Sequence, residues 1–369
     1  MSELARLIGE LVRIESVNPS LDPTGSGEGE IADFIADWMR GAGLEVVLQE
    51  TAPGRPNVIG IRRGTGSGRS LMLNAHMDTV SLGGMTGALE PRFEGNRLYG
   101  RGAFDMKGSM AAMLLAVADL GDESLRGDVI LTAVTDEEYA SIGTQAIVRE
   151  YRADACVITE PTGLELTIAH KGFAWAEIET HGRAAHGSLP DVGIDAIAKM
   201  GPILTSIGEL DRTLRAGTQH ALLKTGSLHA SLIQGGTELS TYPDRCRVQI
   251  ERRTIPGESD AVVEQQLREL VGDAGELTMG ITRQPFEIPP DAELVTVNQE
   301  VIARHRGTPA EITGAGGWMD SALTSAAGIP TVIFGPDGDG AHADNEWVDL
   351  DSAQTCREIY ADLARAWCI

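Results

Sequence analysis

Cysteine is scarce: Cys156, Cys246, Cys356 and Cys368 are the only four in 369 residues, and no two form a CxxC pair. Such wide spacing signals neither a disulfide framework nor a thiolate metal site, so the thiols read as reduced and mostly structural. Long apolar runs are missing as well, and without a stretch of about 18 no membrane-spanning helix is expected. The first residues lack a charged-then-apolar signal pattern, which makes a cytoplasmic location the expectation. Basic residues are outnumbered, 30 Lys and Arg against 54 Asp and Glu, for a formal net charge of −24 at pH 7. That balance repels phosphate backbones and anionic bilayers, so neither nucleic acid nor a membrane surface is expected as a partner. It reads first as a solubilising surface and names no cationic substrate.

What is present suffices for a large core: 42% hydrophobic and 23% charged residues, over a length beyond one typical domain. Leu4, Leu7, Ile8, Leu11 and Val12 recur at helical spacing, as on an amphipathic first helix. Apolar runs at 57–61, 71–73, 129–134 and 155–158 alternate with a helical pattern over 106–120. This predicts an α/β fold whose mixed, mostly parallel sheet is sandwiched by helices, with a site at the carboxyl ends of its strands. From about Gly172 the pattern changes. Alternation over 173–180, 226–233 and 246–252, with helical stretches at 194–208 and 259–271, predicts a smaller α+β unit. Ala261, Val262, Leu267 and Leu270 would form the apolar stripe of its second helix. The turn at Ile288, Pro289 and Pro290 returns the chain to α/β character, ending in a strand at 331–334 and a final helix. The expected organisation is one domain of 1–171 plus 286–369, with a second domain of 172–285 inserted into it.

Residues of metal-ligand type stand where these apolar runs end. In LMLNAHMDTV, His76 and Asp78 are two apart and would face one cleft at a strand end. One could bind a metal while the other orients it through its ring, although HxD alone also suits a surface or capping role. In YGRGAFDMKGS, glycines at 100, 102 and 108 free the backbone ahead of a helical pattern. Asp105 there could cap that helix or bridge two cations through its two oxygens. In VILTAVTDEEYA, an apolar strand runs into Asp136, Glu137 and Glu138. Three adjacent like charges cost energy unless solvent or a cation offsets them. In a site, one glutamate could be a ligand and its neighbour a general base. Glu160 follows ACVIT and precedes Pro161, and His342 follows TVIFGPDGDGA, a strand and then a glycine-rich loop. As a set, His76, Asp105, Glu138, Glu160 and His342 carry nitrogen and oxygen donors that suit zinc, with cobalt or manganese as alternatives.

Five segments, LMLNAHMDTV, YGRGAFDMKGS, TAVTDEEYASIGT, VITEPT and FGPDGDGAHADNEWV, resemble in order the signatures of the di-zinc amidohydrolases and exopeptidases. That family includes acetylornithine deacetylase, succinyl-diaminopimelate desuccinylase and carboxypeptidase G, and the resemblance spans nearly the whole chain. It implies that two divalent metal ions are bound, His76 and Glu160 holding one, Glu138 and His342 the other, with Asp105 bridging them. It further implies that Asp78 orients His76 and that Glu137 is the general acid/base. Glutamate at 160, in the EPT tripeptide, looks more like the deacylase and carboxypeptidase members than the aminopeptidases, which leans toward N-acyl amino acids.

The inserted segment HGRAAHGSLPDVGIDAI resembles the family's lid and dimerisation domain. There a histidine, here His186, reaches across a homodimer to stabilise the tetrahedral oxyanion. Arg253, in RRTIPGE, fits the position that grips the substrate α-carboxylate, a task for which a bidentate guanidinium is suited; a salt bridge within the lid is the other reading. Ser240 stands three residues before Pro243, where the family often has asparagine, and Ser109 stands where a second glycine is common. Gly316 and Gly317 fall where the family offers backbone groups to the substrate carboxylate. The implied reaction is metal-dependent hydrolysis of an amide bond in an N-acyl amino acid. A metallo-carboxypeptidase or dipeptidase, a non-catalytic metal-binding homologue and a Mg-type phosphoryl-transfer enzyme are the alternatives; two histidine ligands and the lack of a P-loop speak against the last. The acyl group and the amino-acid side chain are not legible, because loops shape specificity pockets.

Overall fold

Leu4, Leu7, Ile8, Leu11 and Val12 are all buried on one side of the first helix, Glu3–Arg13. Ser2 caps this helix by accepting the Ala5 N–H at 3.2 Å. The computed structural model describes residues 1–369 and divides them into two units. One comprises Met1–Ile168, Ile288–Thr313 and Met319–Ile369; the other comprises Ala169–Glu287 and Gly314–Trp318.

In the first unit the sheet runs in the order Glu45–Ala52, Arg55–Arg62, Val129–Val134, Leu71–His76, Ala155–Ile158, Thr331–Ile333 and Leu166–His170. The middle strands are parallel. Leu71–His76 pairs in that sense with both Val129–Val134 and Ala155–Ile158, and Thr331–Ile333 pairs with Ala155–Ile158. Their residues are buried throughout, which explains why they read as unbroken apolar runs rather than alternating ones. Antiparallel strands flank them. The expected mixed, mostly parallel α/β architecture is the one observed. Leu131 has no exposed surface, and its truncation to alanine would cost about 2–5 kcal/mol.

Helix Gly108–Ala118 packs against Leu350–Trp367 and is buried from Gly108 to Val117. Sequence periodicity places its start at 106, whereas the structure interposes a wide turn, Ala103–Lys107, in which Asp105 adopts φ −114° and ψ 91°. Lys107 occupies the cap position without a side-chain cap bond, so Asp105 is not an N-cap. Its carboxylate is left for other work.

The second unit contains an antiparallel sheet in the order Ser227–Gly235, Arg245–Thr254, Gly172–His181 and Glu276–Arg283. Alternation is faithful here: Ala174, Ala176 and Ile178, with Val248 and Ile250, face Met200, Ile203 and Ile207 of helix Ala196–Ala216. In the second helix, Asp260–Val271, the expected stripe needs correction. Val263, Leu267 and Val271 form the buried row at spacings of four; Leu270 flanks it, and Ala261 and Val262 turn to solvent. The terminal strand Ser227–Gly235 is an edge, and Leu232 and Ile233 on it are exposed. No helix is long and apolar enough to cross a membrane.

Candidate metal centre

Parallel register gathers the site. His76 closes its strand opposite Val134, and Asn74 lies opposite Ile158. The residues just beyond Val134 and Ile158, including Glu137, Glu138 and Glu160, therefore emerge beside His76 at the carboxyl ends of neighbouring strands. His76 Nε2 lies 3.0 Å from Asp105 Oδ1 and 3.6 Å from Glu160 Oε1. The other oxygen of Asp105 faces His342, whose Nε2 is 3.5 Å from Asp105 Oδ2 and 2.9 Å from Glu138 Oε2. Each Asp105 oxygen thus addresses a different histidine. Donor atoms of His76, Asp105 and Glu138 lie within 4.8 Å of one another, as do those of His76, Glu137 and Glu160. His342 enters on a loop residue at φ 63° with its side chain half exposed, while the other donors are largely buried.

Four carboxylates beside two imidazoles form an electrostatic problem. Two carboxylate oxygens within 4.8 Å of each other repel by at least about 3 kcal/mol at an effective dielectric constant of about 20. Protons or cations must offset that repulsion. Burial, with Glu160 nearby, raises Glu137 well above the ordinary carboxylate range, and burial pushes Glu160 up to about 8. Burial opposes a charged His76, yet Glu160, Asp105 and Asp78 outweigh it and raise its pKa well above the usual imidazole value. Hydrogen bonds to Asp105 and Glu138 push His342 up to about 10. Asp105 stays below its usual range despite burial, because His342 and His76 bond to it. A pair of divalent cations would supply the same positive charge, and the mixed N and O donors fit zinc, cobalt or manganese.

Asp78 holds the site differently from the sequence expectation. The His76 ring is oriented by the Asp78 backbone carbonyl, 2.9 Å from Nδ1, while the nearer carboxylate oxygen is 3.6 Å away. The Asp78 carboxylate instead accepts the backbone N–H groups of Glu137 at 3.1 Å and Glu138 at 3.2 Å, together with the Asn18 amide at 2.8 Å.

Sequence reasoning passed over Glu346 entirely. Its buried carboxylate accepts the N–H groups of Gly102, Phe104 and Asp105 at 2.9–3.0 Å and pairs with Arg101 at 2.8 Å. Lys107, also buried, donates to the Ile14 carbonyl at 2.8 Å and completes the anchoring of the Asp105 turn. Glu346 lies inside the FGPDGDGAHADNEWV segment, yet only its burial separates it from the acids around it.

The remaining candidates belong to the second unit. His186 is exposed, its Nδ1 is 2.8 Å from Ser188 Oγ, and it bridges to Thr241, next to Ser240. The Ser240 carbonyl accepts the Gly187 N–H, so His186 and Ser240 lie on adjoining turns. Arg253 pairs with Glu251 at 2.9 Å and sits over the Phe173 ring at 5.4 Å. Gly316 and Gly317 are exposed, with open space where a side chain would stand.

Comparison with known proteins agrees with this geometry. Residues 72–366 match the model of peptidase family M20/M25/M40. Acetylornithine deacetylase from Myxococcus xanthus is 31% identical over 361 residues, which cover 92% of this chain and 90% of that one. An M20 family metallo-carboxypeptidase from Sulfolobus solfataricus superposes with a TM-score of 0.84 at 18% identity, over 100% of both chains. A dinuclear metal binding peptidase of the M20 family from Bacillus subtilis superposes with a TM-score of 0.73 at 17% identity, over 98% of this chain and 96% of that one. Strand-end donors, fold and full-length similarity converge: the chain belongs to peptidase family M20/M25/M40 and is a hydrolase acting on amide bonds.

Proposed function

We propose that the protein hydrolyses the amide bond of an N-acyl amino acid, releasing a carboxylic acid and a free amino acid, as an acetylornithine deacetylase-like deacylase. The observation that carries this reading is the two-sided placement of Asp105 between His76 and His342, joined to 31% identity with an acetylornithine deacetylase over 92% of the chain. His76 and Glu160 would hold one divalent ion and Glu138 with His342 the other, Asp105 being shared. Bound ions would act as Lewis acids toward the amide carbonyl and acidify a water beside it.

Glu137 is suited to move the proton. It borders the same cluster, is not one of the five assigned ligands, and burial raises its pKa, which makes its carboxylate a stronger base. It takes a proton from the attacking water and delivers it to the departing amine nitrogen. Arg253, pre-oriented on Phe173, offers a guanidinium to the substrate carboxylate, and Ser240 with the backbone at Gly316 and Gly317 would add polar contacts.

His186 acts in trans in this reading, stabilising the developing oxyanion in the second copy of a homodimer. The unpaired edge Ser227–Gly235, with exposed Leu232 and Ile233, supports self-association of the second unit as a lid and dimerisation domain with proposed bounds 172–285. Four free, buried thiols fit a cytoplasmic location.

A metallo-carboxypeptidase or dipeptidase is the second reading, supported by the fold shared with the Sulfolobus solfataricus enzyme. Metal analysis coupled to a ninhydrin screen of N-acetyl, N-succinyl and N-formyl amino acids alongside dipeptides separates the two. Release of amine from an N-acyl amino acid is expected; hydrolysis of dipeptides alone would replace the deacylase with a peptidase.

A further inference from the structure

A buried guanidinium stands behind the turn that carries Glu137 and Glu138, and the chemistry described so far does not use it. Arg55 opens the strand Arg55–Arg62 and is 8% exposed. Its Nε and Nη2 donate to the two oxygens of Glu28 at 2.7 and 2.6 Å. The same Nη2 reaches Asp136 Oδ1 at 2.9 Å and Asn18 Oδ1 at 3.1 Å. Asn18 passes the contact on, its amide donating to Asp136 Oδ1 at 3.0 Å and to Asp78 Oδ2 at 2.8 Å. Asp78 in turn accepts the N–H groups of Glu137 and Glu138. The path from Arg55 to the two glutamates is therefore continuous.

The turn is also held from its flanks by the same strand. Asn57 accepts the Thr135 N–H at 3.0 Å and donates to the Gly143 carbonyl at 2.9 Å. Within these limits Asp136 adopts φ 68° and Ser141 φ 54°, conformations uncommon for residues with a side chain. Such backbone persists where the surroundings over-determine it. Glu28, Asp136 and Asn18 are at most 1% exposed, so two carboxylates and one guanidinium are withheld from water. Stability alone is a weak reason for that choice, because well-packed apolar residues often replace a buried ion pair at no loss. Directional bonds to three partners at once are something apolar packing cannot supply.

We propose that Arg55 is a positioning residue that, with Glu28 and Asn18, fixes the Asp136–Glu138 turn so that Glu137 and Glu138 face the metal centre. The consequence for catalysis rests on the functional reading above; the consequence for the turn does not. Arg55→Lys keeps a positive charge but cannot reach Glu28, Asp136 and Asn18 together, and Asn18→Ala cuts the link to Asp78 while leaving the ion pairs in place.

The experiment measures amide hydrogen exchange of the 136–141 segment in chelator-treated protein, and kcat and KM with metal restored, for the unaltered chain and both variants. Circular dichroism and a cooperative melt check folding, and Asn18→Ala decides the question if Arg55→Lys does not fold. Exchange in 136–141 should quicken at least about tenfold while the strand Leu71–His76 stays protected, and kcat should fall at least about tenfold with KM within about twofold. Unchanged exchange in the folded variants overturns the inference, as does loosened exchange with unchanged kcat. If the unaltered protein hydrolyses none of the amides, the functional reading fails and the exchange result alone decides the positioning claim.

Discussion

The Glu346 carboxylate accepts the backbone N–H of Asp105 at 3.0 Å, so an acid four residues beyond one proposed ligand, His342, anchors another. The same group receives Phe104, Gly102 and Arg101, which makes it the hub of the turn that gives Asp105 its two-sided aim. Glu346→Ala would leave the Arg101 guanidinium, 3% exposed, without its carboxylate, at a cost of about 3–5 kcal/mol in unfolding free energy. Urea unfolding checks the loss, which should come with metal affinity lowered about 10–100-fold. A stable variant with full affinity would show that the turn holds itself.

Asp78→Asn tests the second holding point. One carboxamide oxygen cannot replace two carboxylate oxygens that receive Glu137, Glu138 and Asn18, and its NH2 would oppose one of those donors. The expected outcome is a kcat reduction of about 10–100-fold with the fold retained. Steady-state kinetics and a thermal melt measure both.

Self-association is tested at the edge strand. Leu232→Asp places a charge on a residue that is 64% exposed on Ser227–Gly235. For the proposed homodimer, sedimentation should move from dimer to monomer, and turnover should fall with it if His186 acts across the interface. Mixing His186→Ala with Glu137→Ala protein should then restore part of the activity, because hybrid dimers regain one complete site. No recovery on mixing would confine His186 to its own subunit.

The sheet of the first unit was readable because parallel strands buried on both faces leave unbroken apolar runs, as at Val129–Val134. The side chains that cluster around Asp105 could be picked out because their residue types follow those runs. Lengths and facings were less so. The stripe of Asp260–Val271 was displaced because Ala261 and Val262 are apolar without being buried, a distinction only tertiary packing makes. Arg55, Glu28 and Glu346 escaped notice for the opposite reason: they are charged residues, usually solvated, and nothing in the local sequence marks them as buried. The contact of Asp78 with His76 was legible, but not that it runs through the Asp78 carbonyl while the carboxylate holds Glu137 and Glu138, because residue spacing locates a side chain on a strand but not the partner it meets after the strand ends.

The central claim is that Glu137 moves the proton and is not needed to hold the metal. Glu137→Gln, loaded with zinc or cobalt and assayed on the N-acyl amino acid that the unaltered protein hydrolyses, tests it most directly. The account predicts two ions per chain, as in the unaltered protein, and a kcat lower by at least about 100-fold, the lower end of the range for losing a general acid/base. Turnover close to that of the unaltered protein, or loss of one ion with the substitution, would contradict it.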